Sequence, residues 1–86
     1  MPELRFDEEA WYDYMEAQQD KSKIRRINAL IKEILRDPFH GIGKPEPLKH
    51  GDNDRWSRRI NDSDRLVYRV TKDAIVILQC KGHYDD

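Results

Sequence analysis

Two residues in this sequence could exchange a proton with a substrate, and both stand in unusual local contexts. Glu46 lies between Pro45 and Pro47 in the run GKPEPLKH, and His83 lies close to the end of the chain. Prolines on both sides restrict the backbone, so the Glu46 carboxylate should be held where it can act as a general base. Histidine is well suited to donating a proton near neutral pH. The two residues would suffice for acid–base catalysis, although an exposed loop acid and an idle terminal histidine are the plainer alternatives.

A cluster of arginines should accompany these two groups. Segments 54–60 and 64–71 have the composition of strands, and the short turn at 61–63 makes them antiparallel, with Arg59 opposite Arg65. Alternation then gathers four arginines on one sheet face: Arg55, Arg59, Arg65 and Arg69. Guanidinium groups bind phosphate oxygens through paired donors, so this face indicates a nucleic-acid backbone. An ordinary solvated sheet face is the alternative.

Other chemistry is weaker in this sequence. Cys80 and His83 could form a nucleophile–base pair on paper, but Cys80 ends an apolar strand and should be buried. His40, His50 and His83 lack the spacing of a metal site, so neither a metal nor a cofactor is expected. Tyr84 could stack on a nucleotide base.

Charge is distributed unevenly along the chain. The formal net charge is −1, yet residues 1–20 carry seven acidic residues and one basic residue, while residues 21–84 carry fifteen basic and eight acidic residues. Such a basic body indicates a polyanionic partner. The lone cysteine and the lack of an export segment or a long apolar run predict a cytoplasmic protein with no membrane association.

Apolar periodicity predicts the elements that must position these groups. Residues 3–6 alternate as a short strand, and residues 8–18 form a first helix. A second helix should be capped by Asp20 or Ser22 and should stop at Asp37-Pro38, because the residue before proline avoids helical backbone angles.

The rest of the chain is predicted to be a loop followed by three strands. The stretch 38–54 holds three of the four prolines and three of the four glycines, which favours irregular backbone. The strands cover 54–60, 64–71 and 74–80. The fold class is therefore α+β, with an N-terminal strand and a two-helix hairpin packed on one face of a mostly antiparallel sheet, in a single domain over 1–86.

Alternation also predicts which side chains form the core. On the first helix, one face carries Ala10, Trp11, Tyr14, Met15 and Gln18, and Trp11 and Met15 on it are expected to be buried. The helix side of the sheet should receive Trp56, Leu66, Tyr68, Val70, Ile75, Ile77 and Gln79. The arginine side should receive Val67, Val76, Leu78 and Cys80.

Four short motifs, in this order, resemble one family. They are GIGKPEPLKH at 41–50, WSRRI at 56–60, DRLVY at 64–68 and the His-Tyr pair at 83–84. Together they resemble the YoeB-type toxins of bacterial toxin–antitoxin pairs, within the RelE superfamily. The resemblance runs over nearly the whole chain and implies a RelE-like microbial ribonuclease fold.

The resemblance also implies an activity and a set of roles. The chain would inhibit translation by cutting messenger RNA in the ribosomal A site without a metal, leaving a 2′,3′-cyclic phosphate. Glu46 would be the base on the ribose 2′-hydroxyl, His83 the acid at the leaving 5′-oxygen, and Arg65 would stabilise charge on phosphorus. The substrate-binding residues would be Lys49, Arg59 and Tyr84.

Partners follow from the same resemblance. They would be the ribosome, its messenger RNA and a YefM-like antitoxin with an acidic, flexible C-terminal segment, and operator DNA would be reached only through the antitoxin. A homodimer is compatible with this family. A non-catalytic toxin, or an RNA- or protein-binding module of the same superfamily, is the alternative function.

The sequence departs from the family pattern near its C-terminus. The family usually has a histidine at the position of Asp64 and an Arg-Tyr pair at the position of Lys81-Gly82, and it usually ends at the tyrosine that Asp85-Asp86 follow here. Arg55 also replaces an aromatic residue. Gly82 should loosen the backbone before His83, and the two terminal acids should repel RNA.

Overall fold

The computed structural model describes residues 2–49 and 54–83, and this part of the chain folds into two helices and five strands. The strands are β1 Glu3–Phe6, β2 Glu46–Pro47, β3 Arg55–Arg59, β4 Arg65–Val70 and β5 Ala74–Gln79. The helices are α1 Glu8–Ala17 and α2 Lys21–Arg36.

The five strands form one sheet in the order β1-β5-β4-β3-β2. β1 pairs with β5 in parallel, and the other three pairings are antiparallel. Side chains from both helices and from one sheet face share a single apolar cluster. The α+β prediction is therefore confirmed. The stretch 38–54 was predicted to be irregular throughout, but it contains the two-residue strand β2.

Helix α2 supplies most of the helical part of the core. The Asp20 carboxylate caps it by accepting a hydrogen bond from the Lys23 N–H at 3.1 Å. The apolar stripe lies against the sheet, with Ile27, Leu30, Ile31 and Ile34 buried and Ile24 and Leu35 partly buried. The helix ends at Arg36, as the Asp37-Pro38 pair predicts.

Helix α1 lies against the sheet through a face that is rotated from the predicted one, with Ala10 of the predicted face buried and Tyr14 partly buried. Trp11 and Met15 were expected in the core, but they are 46% and 48% exposed. The buried face is centred on Ala10 and Ala17, which are seven residues apart and so lie on one side of the helix. Small side chains let the helix approach the sheet closely, and this rotation leaves the large side chains at the rim, where Trp11 stacks on Tyr14.

A β-bulge near the end of β5 changes the sheet face to which the following side chains point. Tyr68 pairs with Ile77, whereas the neighbouring Val67 pairs with Gln79, so Leu78 is an extra residue. Gln79 therefore points to the arginine side, and Cys80 lies in the core cluster. The predicted sides of Gln79 and Cys80 were therefore both wrong, because strict alternation cannot anticipate an inserted residue.

The largest buried side chain belongs to Arg58, on the helix side of β3. Its Nη2 donates to the carbonyl oxygens of Asp37 and His40 at 2.8 and 3.0 Å, and its Nη1 donates to that of Ile42 at 3.0 Å. Its Nε donates to the Tyr68 hydroxyl at 3.1 Å, and this hydroxyl donates to the Pro38 carbonyl at 2.6 Å. One guanidinium thus fixes the loop between α2 and β2.

Two glycines let this loop lie close to α2 and β3. Gly41 and Gly43 have φ angles of 122° and 84°, in the region that favours glycine. A Cβ on Gly43 would lie 2.7 Å from Leu30 Cδ2, and one on Gly41 would lie 2.7 Å from Glu33 Oε1. The Gly43 carbonyl accepts a 2.7 Å hydrogen bond from the Arg59 N–H, which ties the loop to β3 just before β2 begins.

Replacing Arg58 should destabilise the fold strongly. Arg58→Met keeps much of the side-chain volume but leaves three carbonyls and the Tyr68 hydroxyl without their donor. We expect a loss of about 3 kcal/mol in the free energy of unfolding, measured by urea denaturation. Arg5→Ala, which breaks only the exposed pair with Glu3, is the matched control and should barely move the midpoint. Equal effects of the two variants would contradict the role given to Arg58.

Candidate functional site

The sheet face opposite the helices carries a row of directly paired residues across four strands. Glu46 pairs with Ser57, Ser57 with Val67, and Val67 with Gln79. Partners in an antiparallel pair project from the same face. Pairing with β3, rather than the flanking prolines alone, therefore places Glu46 on the arginine face, by which we mean the face that carries Arg55, Arg59, Arg65 and Arg69.

Arg65 lies beside this row and contacts two of its members. Its Nη1 donates to Ser57 Oγ at 3.2 Å and lies 3.9 Å from Glu46 Oε2. The Arg65 side chain is only 25% exposed, while that of Glu46 is 61% exposed. Ser57 is buried, and so it fixes the guanidinium from below while the carboxylate remains open to a substrate. Sequence reasoning did not identify Ser57, although its predicted position between Arg55 and Arg59 was a usable signal.

The predicted arginine register is confirmed, since Arg55 lies opposite Arg69 and Arg59 opposite Arg65. Acidic side chains reduce the repulsion between these cations. Arg59 Nη2 is 2.7 Å from Asp62 Oδ1 on the hairpin turn, and Arg69 Nε is 3.2 Å from Asp54 Oδ2. The Arg59 pair is largely exposed, so a phosphate in water can replace this partner at little cost.

His83 is exposed, and the backbone before it is hydrogen-bonded to the start of β4. The Gly82 carbonyl accepts hydrogen bonds from the Arg65 N–H at 2.9 Å and from Gln79 Nε2 at 3.2 Å. The Gly82 N–H donates to Asp64 Oδ1 at 2.8 Å. Gly82 was expected to loosen this segment, but its amide and its carbonyl are both bonded. The structure thus brings the His83 backbone next to Arg65 and to the Gln79 end of the row.

Lys49 is the remaining predicted site residue within the described ranges. Lys49 is exposed at the end of the described segment 2–49. Tyr84, His50 and the Asp85-Asp86 pair lie outside the described residues, so the predicted role of Tyr84 remains a prediction.

Cys80 is fully buried in the apolar cluster. Burial raises the pKa of its thiol to about 12, and the nearby Asp13 carboxylate acts in the same direction while Lys23 opposes it. The thiol is therefore protonated at neutral pH and shielded from solvent, which argues against a Cys80–His83 nucleophile pair.

Within 2–49 and 54–83, no group of three or more His, Cys, Asp or Glu side chains is arranged to hold a metal ion. None of the helices in these ranges is long and apolar enough to cross a membrane.

Comparison with known proteins gives consistent matches over the chain. A family model described as the YoeB-like toxin of bacterial type II toxin–antitoxin systems matches residues 6–84. Toxin YoeB of Synechocystis is 52% identical over 82 residues, covering 94% of this chain and 95% of the relative. Toxin YoeB of Escherichia coli is 51% identical over 82 residues, covering 94% of this chain and 98% of the relative.

Solved structures agree with this match. The YoeB dimer from Staphylococcus aureus superposes with a TM-score of 0.89 at 45% identity, covering 96% of this chain and 98% of that one. The heterotetrameric YoeB–YefM toxin–antitoxin complex from the same organism gives 0.85 at 44% identity, covering 98% and 99%. A chain of the E. coli DinJ–YafQ complex gives 0.83 at 13% identity, covering 96% and 94%, and this likeness concerns the fold alone.

The thiol of Cys80 should be inert in the folded protein. With a pKa of about 12, only about one thiol in 10⁴ is ionised at pH 8, against roughly a fifth of free thiols. Iodoacetamide should therefore label the folded chain very slowly and the urea-unfolded chain at the ordinary rate, as followed by mass spectrometry. Labelling of the folded chain at the rate of a free thiol would restore the Cys80–His83 pair as an alternative.

Proposed function

The chain belongs to the YoeB-like toxins of bacterial type II toxin–antitoxin systems, and we propose that it inhibits translation as a ribosome-dependent messenger RNA endoribonuclease. The observation that supports this activity best is that Arg65 contacts Glu46 on the arginine face and is bonded through its N–H to the residue before His83. These are the residue types that intramolecular cleavage of RNA requires: a base, a donor for the phosphoryl oxygens and an acid.

In the proposed reaction the ribose 2′-hydroxyl is the nucleophile. The Glu46 carboxylate takes its proton, the 2′-oxygen forms a bond to the adjacent phosphorus, and the bond from phosphorus to the 5′-oxygen breaks. His83 donates a proton to this leaving oxygen. The products are a 2′,3′-cyclic phosphate and a 5′-hydroxyl end, and all three functional groups come from protein side chains, so the step needs no metal or other cofactor.

The proposed base and the backbone next to the proposed acid lie at opposite ends of the paired row. Three strand spacings, about 14 Å, separate the backbones of Glu46 and Gln79 along the row. The Gln79 side chain lies near the His83 backbone, with Nε2 3.5 Å from the His83 carbonyl oxygen. Side chains reaching inward from the two ends would meet opposite sides of one phosphodiester, with the Arg65 guanidinium below it.

The electrostatics support a role for Arg65 in the transition state. Charge grows on the non-bridging phosphoryl oxygens as the 2′-oxygen attacks, and a donor that is already in position stabilises this charge without reorganising. Ser57 holds the guanidinium in position, and Glu46 provides only a long contact of 3.9 Å. We assign phosphate binding outside the reacting centre to Arg59 and Lys49, and base or backbone contact to Tyr84.

The partners follow from the same surface. We propose that an antitoxin of the YefM type covers the arginine face with an acidic segment that folds on contact, since acidic side chains can replace the pairs that Asp54 and Asp62 make. The related S. aureus toxin is solved in a YoeB–YefM complex and as a dimer. We extend both kinds of assembly to this chain, together with the ribosome and its messenger RNA.

Substitutions should separate chemistry from binding. Glu46→Gln, His83→Gln and Arg65→Ala should each slow single-turnover cleavage of ribosome-bound messenger RNA by about 10²- to 10⁴-fold while changing ribosome affinity little. Arg59→Ala and Lys49→Ala should instead weaken binding and flatten its salt dependence, because each removes about one phosphate contact.

The matched controls for these variants lie on the outer faces of the helices. Glu9→Gln and Arg25→Ala change exposed side chains there and should leave rate and affinity unaltered. Equal losses of rate and affinity in all five site variants would show that the arginine face only binds. Wild-type protein that blocks translation without cutting messenger RNA would favour the non-catalytic alternative.

Neutralisation should depend on charge. An acidic antitoxin segment should bind with a large negative heat-capacity change, and its affinity should fall as salt is raised, both measured by calorimetry. The same segment should block cleavage in proportion to occupancy. Tight binding that leaves cleavage intact would contradict an antitoxin seated on the arginine face.

A further inference from the structure

The three residues that follow β5 are each bonded to a carboxylate that is distant in sequence. The Cys80 N–H donates to Asp13 Oδ2 at 3.2 Å, and Lys81 Nζ lies 2.7 Å from Glu16 Oε1, so α1 holds both. The Gly82 N–H donates to Asp64 Oδ1 at 2.8 Å. The segment that leads into His83 is therefore fixed on both sides.

The third of these carboxylates is itself firmly placed. Asp64 Oδ2 lies 3.2 Å from Lys23 Nζ on α2, and both side chains are only 15% exposed. Asn61 Nδ2 donates to the same oxygen at 3.1 Å. Burial raises the pKa of the Asp64 carboxyl, but hydrogen bonds from Gly82 and Asn61 and the ammonium of Lys23 more than offset this, so that pKa lies below its ordinary value. The carboxylate is thus charged and held at neutral pH.

Gly82 needs such a partner. Its φ is 80°, a conformation open to glycine, and a Cβ placed there would meet nothing within 4 Å. The position of a side chain is therefore open space, and the contacts that hold this residue are the hydrogen bonds of its backbone. The Gly82 N–H donates to the Asp64 carboxylate, and the Gly82 carbonyl accepts from the N–H of Arg65, which follows Asp64 in the sequence. Asp64 and Arg65 thus bind the amide and the carbonyl of Gly82, the residue immediately before His83.

We propose that Asp64 is a positioning residue, which fixes the Gly82 amide and thereby sets the place of His83 relative to Arg65. The inference rests on the proposed function, because it concerns the acid of that reaction. The physical reason is distance. Asp64 is next to Arg65 in the sequence, and its carboxylate accepts a hydrogen bond from Gly82, the residue before His83. One hydrogen bond therefore links the two groups that must act on the same phosphodiester.

Two variants separate this role from a contribution to stability alone. Asp64→Ala removes the acceptor for Gly82 together with the ion pair to Lys23 and the hydrogen bond from Asn61. Lys23→Met removes the same ion pair but leaves the Asp64–Gly82 hydrogen bond. Ser63→Ala, at an exposed residue of the same turn, is the control for local disturbance.

The first measurement is hydrogen exchange of the Gly82 amide by NMR, which requires no activity. Asp64→Ala should speed this exchange about tenfold or more, since a hydrogen bond to a charged acceptor is lost, while Lys23→Met and Ser63→Ala should leave it within about twofold of wild type. Unchanged exchange in Asp64→Ala would overturn the inference.

The second measurement is single-turnover cleavage of ribosome-bound messenger RNA. Asp64→Ala should lower the maximal rate about tenfold without changing the half-saturating ribosome concentration, and Lys23→Met should keep the wild-type rate even if its melting temperature falls. Faster Gly82 exchange with an unchanged cleavage rate would overturn the positioning role. A wild-type chain that does not cleave at all would instead refute the proposed function, and the exchange data would still decide whether Asp64 fixes Gly82.

Discussion

The buried guanidinium of Arg58 organises the loop on which the proposed base depends. It is fully buried, and its donors go to three backbone carbonyls and one phenol oxygen. Hydrogen bonds to a charged group contribute about 1.5–3 kcal/mol each, and a buried charge without them would be prohibitively unfavourable. The loop must therefore close around Arg58. The loop so closed leads into β2, which pairs with β3 in the register that puts Glu46 opposite Ser57.

Strands β3 and β4 serve two purposes because their side chains alternate. One side of each strand builds the core, through Arg58 and Tyr68, and the other builds the arginine face, through Ser57 and Arg65. The bulge at Leu78 shifts this alternation by one residue at the end of β5. Gln79 therefore points towards the arginine face, and Cys80 points into the core. The bulge thus accounts for the buried thiol and for the Gln79 side chain that lies 3.5 Å from the His83 carbonyl oxygen.

Much of this architecture could be predicted from the sequence, and the failures have physical causes. Periodicity identified both helices and four of the five strands, and the short turn at 61–63 gave the Arg59–Arg65 register. Periodicity could not anticipate the Leu78 bulge, nor the rotation of α1 onto its alanines. The partners of Arg58 and Asp64 are distant in sequence, so no local pattern reveals them. The acidic residues of 1–20 were recognised only as an uneven distribution of charge. Two of them, Asp13 and Glu16, hold residues 80 and 81. The roles of Glu46, Arg65 and His83 in catalysis remain predictions.

The central claim is that the arginine face promotes attack by the substrate's own 2′-hydroxyl. The most direct measurement is single-turnover cleavage of a ribosome-bound messenger RNA in which one nucleotide, at the site of cutting, is replaced by its 2′-deoxy analogue. We expect no cleavage at that nucleotide with normal binding of the toxin, and a 2′,3′-cyclic phosphate on the unmodified control. Cleavage of the deoxy substrate at the control rate, leaving a 3′-hydroxyl end, would show that water attacks instead and would contradict the account.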